Sequence, residues 1–353
     1  MTIYLINIFL ILFWGYIFLS KVQTDKNIKI YCTIVALQWI LISGLRHLSI
    51  GADTHAYYVS FEEIKKVSWS RIFSNIWDYL FNGFKVKDPG YALFQKIFQI
   101  FCGDYQIYLL FIAAIFTTLM AIWIYKNSSM PTFSFILYSA LFYSFYAVTG
   151  HRQTIATALV VFWGYKYIKE RKLIKFLALS FVAFLIHKSS IVFFPFYFIA
   201  NMPVTVPNVS IALIVIAIIV ALGRVFYGTV AGWMGFGEEL IEYDIGGAET
   251  YAALLTVICV VILVFYYFYK ERTEKSTHIF NITLLTLMSS LLVFQNQSFM
   301  RIQQYYSLFL MISFPEVMLS FDKKGRVGVY ALTVGVLIFY LIRNNPRYLF
   351  FWQ

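Results

Sequence analysis

The chain has 353 residues, 61% hydrophobic, 20% aromatic and 13% charged, with a formal net charge of +11. Soluble domains carry about 25% charged residues, so this composition, with a mean hydropathy of +0.73, excludes an ordinary soluble protein and indicates an integral membrane one. A basic nucleic-acid binder is excluded too, because the charges lie between apolar runs and not in one basic domain.

In chain order, the apolar runs are long enough to cross a ~30 Å hydrocarbon core as helices and alternate too rarely for membrane strands. They predict helices over residues 3–20, 28–45, 105–125, 131–149, 153–168, 173–186, 189–200, 207–222, 250–269, 278–297, 302–320 and 327–342. The first run, Ile3 to Leu19, lacks the basic start and small-residue cleavage site of a signal peptide and is expected to be a retained helix. The segment 90–101 is amphipathic, either re-entrant or interfacial. The pair 173–186 and 189–200 forms either two short spans or one bent excursion. The expectation is an all-α, polytopic membrane helix bundle of about 11–12 transmembrane helices, forming one membrane domain over 1–353.

Charge placement orients this bundle. The loops at Lys21–Lys29, Lys126, Lys166–Lys175, Lys270–Lys275 and Lys323–Arg326 hold 15 of the 28 Lys and Arg. The positive-inside rule makes that side cytoplasmic. Two segments on the opposite side, 46–104 and 223–249, are longer than connectors need to be, which points to function or disorder. Their aromatic content argues against disorder.

The polar residues that interrupt or end apolar runs are Arg46, His47, Asp53, His55, Asp88, His151, Arg152, His187, Lys188 and Arg301, and all map to the outer side. Arg152 reads as a snorkelling anchor. Against that, it heads a helix, where a cation is disfavoured by about 0.3–1 kcal/mol. A bound anion would reverse the sign, held by the guanidinium and the N–H groups that follow Gly150. His151 is read as a supporting residue of the site. Behind them Thr154, Ala156, Thr157 and Ala158 permit close helix packing.

Arg301 heads a later helix, with Gln304 and Tyr305 on its face at i+3 and i+4. Such a face suits an oxygen-rich ligand; the alternative is an interfacial aromatic belt. His187 is a candidate general base or a helix cap beside Ser189 and Ser190. Asp53 and His55 supply only half a metal site, so Asp53 is expected to cap the next segment, accept sugar hydroxyls or pair with Arg46. Lys87–Tyr91, KDPGY, reads as a turn or as a setting for a substrate-facing carboxylate at Asp88. Glu238, Glu239, Glu242 and Asp244 read as a solvated loop face, with glycan binding alongside Tyr243 the alternative. No P-loop, GxGxxG, GxSxG or HExxH is present. The three cysteines form no CxxC, so neither a disulfide framework nor a zinc site is indicated.

Several of these pieces fall in a recognisable order. Arg46, Gly51, Asp53 and Tyr57 follow the second helix; Asp88 to Tyr91 form an acidic-Pro-Gly-Tyr turn. Arg152 and Gln153 head a helix with Ala156 on its small face, His187 closes a later run, and Arg301 precedes Tyr305. In this order the chain resembles the EpsG/Wzy-type exopolysaccharide (O-antigen/capsule) polymerase family over roughly residues 1–320. Asp88 stands where the family pattern has Glu, and the loop 236–249 matches no fixed pattern.

The resemblance implies a bacterial inner-membrane glycosyltransferase that joins polyprenyl-diphosphate-linked oligosaccharide repeat units on the outer leaflet. It implies no nucleotide sugar, cofactor or metal, and it implies a flippase and a chain-length regulator as companions. The chemistry of the residues agrees with this. A diphosphate leaving group needs fixed positive charge, and Arg matches phosphate oxygens bidentately. Arg152 and Arg301, with Arg46, are expected to clamp the donor, and His187 or Asp53 to take the acceptor proton. Tyr57, Asp88, Gln153, Gln304 and Tyr305 are expected to contact substrate. A glycan ligase of the same superfamily, a polysaccharide transporter or flippase, and a membrane O-acyltransferase are the rival readings.

Overall fold

A computed structural model describes residues 2–20, 23–83, 86–223, 225, 229, 247–344 and 347–353. The helices are α1 (Thr2–Leu19), α2 (Asp25–Gly44), α3 (Thr54–Lys66), α4 (Trp69–Phe81), α5 (Pro89–Phe101), α6 (Tyr105–Asn127), α7 (131–149), α8 (151–169) and α9 (Leu173–Ile186). After them come α10 (Val206–Ala221), α11 (Ala248–Phe268), α12 (Glu274–Val293), α13 (Met300–Ser307), α14 (Leu310–Leu319) and α15 (Lys323–Arg343). No strand forms among the described residues. The chain is a polytopic helical membrane protein. Six of these helices (α1, α2, α6, α11, α12 and α15) are long and apolar enough to cross a membrane, and shorter apolar helices accompany them.

Local chemistry sets the helix starts. Thr24, Ser68, Asp104 and Asp322 each accept a hydrogen bond from a backbone N–H in the first turn of α2, α4, α6 and α15. Thr273 and Ser276 form a reciprocal capping box on α12. α7 and α8 each pass through wider π-helical turns, and the two are separated only at Gly150. π turns are rare and gather near functional sites. The expected helix over 189–200 is instead a 3₁₀ stretch, Lys188–Phe193, followed by a single turn, Phe196–Ile199. Pro195 lacks a backbone donor and its ring crowds the preceding turn, which favours a break in the helix there.

The chain packs as two compact units, Met1–Ser190 with Met318–Gln353, and Ile191–Val317. In the first, α2 lies tightly along α6: a Cβ on Gly44 would fall 2.8 Å from the Cα of Leu110. Its core is aromatic. Trp39 meets Tyr138 edge-on at 5.0 Å, and Phe116 stacks on Tyr146 at 5.0 Å. In the second unit α11 and α12 pack through Ala248, Ala252, Leu292 and Val293. The α12 amide of Asn281 donates to the carbonyls of Ile199, Ala200 and Met202. Buried Glu316 accepts from Tyr266 and pairs with Lys270 and Lys275. The stretch 46–104 holds three helices, of which only the one near 90–101 was predicted. Most of 223–249, including Glu238, Glu239, Glu242, Tyr243 and Asp244, lies outside the described residues.

Candidate active site

Asp88 is the junction of the first unit. It occupies the N-cap position of α5 in a left-handed conformation, φ 48° and ψ 55°, and its side chain makes no capping bond. Such a conformation in a non-glycine residue costs on the order of 1–3 kcal/mol and tends to mark functional positions. The carboxylate turns away from its own helix. Its Oδ2 lies 2.8 Å from Nη1 of Arg152 and 3.1 Å from Nδ1 of His187, while its Oδ1 accepts the backbone N–H of Lys188 at 3.2 Å. Burial raises the Asp88 pKa. The His187 hydrogen bond, the His187 and Arg152 charges and the Lys188 N–H outweigh it and hold the carboxyl below the ordinary carboxylate range.

Three elements meet here because each ends at this point. His187 terminates α9, its own N–H bonded to the Ala183 carbonyl. Arg152 sits in the first turn of α8. Gly90 lets α5 touch α9: a Cβ there would fall 2.6 Å from the Leu185 backbone carbonyl carbon. When His187 donates Nδ1–H to Asp88, the lone pair of the neutral ring lies on Nε2. That is the orientation a carboxylate imposes on a catalytic histidine.

A second cation stands nearby. Arg46 is 2% exposed and has no ion pair among the described residues. Its Nη1 donates to the Ser43 carbonyl, and its Nη2 lies 2.6 Å from His151 Nε2. A guanidinium only donates, so His151 accepts through Nε2 and carries its proton on Nδ1, which is buried with no acceptor. The C-terminal segment braces this arginine: His47 N–H donates to Leu349 and Phe351 N–H to Leu45, both at 2.9 Å. Burial pushes the Arg46 pKa down to about 10, with neighbouring phenols opposing, so it stays cationic at neutral pH. Tyr57 links the two centres. It stacks on His151 at 4.3 Å, and the Arg152 guanidinium lies 5.6 Å from its ring centroid.

The structure thus brings together Asp88, Arg152, His187, Tyr57 and Arg46. His151 supports Arg46. Asp53 stands exposed at the start of α3, where it neither caps the helix through its side chain nor pairs with Arg46. Its charge still reaches the Tyr57 phenol. Gln153 is buried beside Arg152 in α8. Arg301, Gln304 and Tyr305 belong to α13 of the second unit, with Gln304 and Tyr305 buried. The Lys188 backbone donor and the Ser43 carbonyl were not legible in the sequence, because backbone groups leave no signal in residue type. Among the described residues no group of three or more His, Cys, Asp or Glu is placed to hold a metal ion.

The EpsG family model matches residues 29–350, nearly the whole chain. This chain belongs to the EpsG family. No curated protein and no solved structure matches it. EpsG membership and the membrane-length helices together make the chain a membrane polysaccharide polymerase in general terms.

Proposed function

We propose that this EpsG-family protein transfers a growing glycan from its polyprenyl diphosphate carrier to a sugar hydroxyl of an incoming lipid-linked repeat unit. The reaction takes place at the outer face of the cytoplasmic membrane. The observation that supports this most is Asp88 holding Arg152 and His187 on one carboxylate. In the step proposed, His187 Nε2 takes the proton of the acceptor hydroxyl as that oxygen bonds to the donor anomeric carbon. The bond from that carbon to the diphosphate oxygen breaks, and the diphosphate leaves with the electron pair.

Negative charge grows on the leaving oxygens, so fixed cations near them lower the barrier. Arg152 supplies one, although Asp88 already answers part of its charge. Arg46 supplies a cation that no carboxylate answers among the described residues.

Reconstitution tests it. The protein in liposomes with a lipid-diphosphate-linked repeat unit should build a ladder of longer lipid-linked glycans, and His187→Ala should build none. A normal ladder from His187→Ala overturns the assigned base. No ladder from the unaltered protein overturns the polymerase reading.

A further inference from the structure

The outer surface of α4 is not used by the candidate site. This helix has 13 residues, about 20 Å at 1.5 Å per residue, too short to cross a bilayer. One edge is buried through Ile72 and Tyr79, and the Tyr79 ring lies 5.5 Å from Phe184 of α9. Along the other edge Trp69, Phe73, Trp77 and Phe81 follow at intervals of four. They are 39%, 57%, 62% and 64% exposed. Trp69 stacks on Phe73 and Trp77 lies against Phe81, so they form one aromatic strip. Beyond it the polar arc exposes Arg71 and Ser74.

What covers the strip follows from its neighbours. Phe184 lies one turn before His187, so the C-terminal half of α4 sits at the His187 end of α9. The apolar surface of α9 exposes Leu177, Phe181 and Val182, and α5, on which α4 packs, exposes Ile97 and Ile100. In a membrane protein such exposed apolar residues face lipid, and α4 packs directly against the helices that carry them. A short amphipathic helix with Trp and Phe on one face and a cation on the other suits the headgroup region.

We propose that α4 lies in the bilayer interface at the Asp88 end of the protein, its aromatic strip in the phospholipid headgroup and upper acyl layer. Anchored there, α4 fixes the depth of the Asp88 turn that follows it.

The test uses the full chain in nanodiscs of phosphatidylethanolamine and phosphatidylglycerol. Cys32→Ser, Cys102→Ser and Cys259→Ala clear the background, and a nitroxide is placed in turn by Arg71→Cys, Phe73→Cys, Ser74→Cys and Trp77→Cys. Power saturation compares access of oxygen with access of a water-soluble nickel chelate. The oxygen-to-nickel ratio should be several-fold higher at 73 and 77 than at 71 and 74. Equal nickel access at all four places α4 in water and overturns the proposal. Shielding of 73 and 77 from both reagents assigns the strip to a protein contact, such as a second copy, and overturns it equally. Trp77→Phe provides a check that needs no cysteine replacement. The fluorescence it removes should be quenched more by lipids brominated high on the acyl chain than by lipids brominated near its end. Absence of quenching contradicts the proposal.

Discussion

The Asp88 carboxylate pairs Arg152 and His187, so substitutions there separate charge from shape. Asp88→Asn keeps the size but loses the ion pair and the orientation of His187. Its polymerisation rate should fall about 10²-fold or more, the usual worth of an oriented acid–base group. Asp88→Glu, which restores the charge, should recover part of it. The carboxyl pKa is lower folded than unfolded, so its stabilisation is fully present above roughly pH 4 and is lost as pH falls through the folded value. Thermal unfolding followed from neutral pH into that acid range should show the unaltered protein losing more stability than Asp88→Asn; parallel curves would contradict this. His151→Phe keeps a ring on Tyr57 but leaves a buried Arg46 donor without its acceptor. That should cost about 1–3 kcal/mol, read as a lower Tm, with a smaller loss for His151→Gln. Asp88, Arg152 and His187 were each legible as interruptions of apolar runs. Their pairing was not, because the bonds join residues as far apart as Asp88 and His187, and one sequence holds no record of such contacts.

At the scale of elements, the site depends on how closely α5, α8 and α9 approach. Gly90→Ala would set a methyl against the Leu185 backbone, which cannot rotate away. It should push α5 from α9, separate Asp88 from His187 and abolish polymer. Gly150→Ala meets the Phe145 side chain, and a ring can turn aside, so the loss there should be smaller. Assaying both variants in membranes, with protein levels measured, distinguishes close packing from a general intolerance of substitution. Most helices were legible because long apolar runs have one solution in a membrane. α3 and α4 were not, because Lys, Glu and Ser are interspersed with their aromatics and the stretch reads as a loop on hydropathy alone. Ser68, which caps α4, and the four-residue spacing of Trp69, Phe73, Trp77 and Phe81 were the overlooked signals.

At the scale of the whole molecule, composition decided the membrane class, and the placement of Lys and Arg gives an orientation that can be measured. Single cysteines at His55 and at Lys172 should lie on opposite sides. In intact cells an impermeant maleimide should label His55→Cys and not Lys172→Cys; the reverse pattern would move the proposed reaction to the cytoplasmic face. The division into two units was not legible, since it depends on which helices pack together and not on any change of composition along the chain. The proposed reaction makes a glycosidic bond as a lipid diphosphate leaves. Its most direct measurement follows the purified protein in liposomes with one defined lipid-linked repeat unit, counting glycosidic bonds formed against lipid diphosphate released. A ladder of lipid-linked products is expected, with one diphosphate released per bond. A single transfer to an acceptor that carries no lipid, or bond formation without diphosphate release, would contradict it.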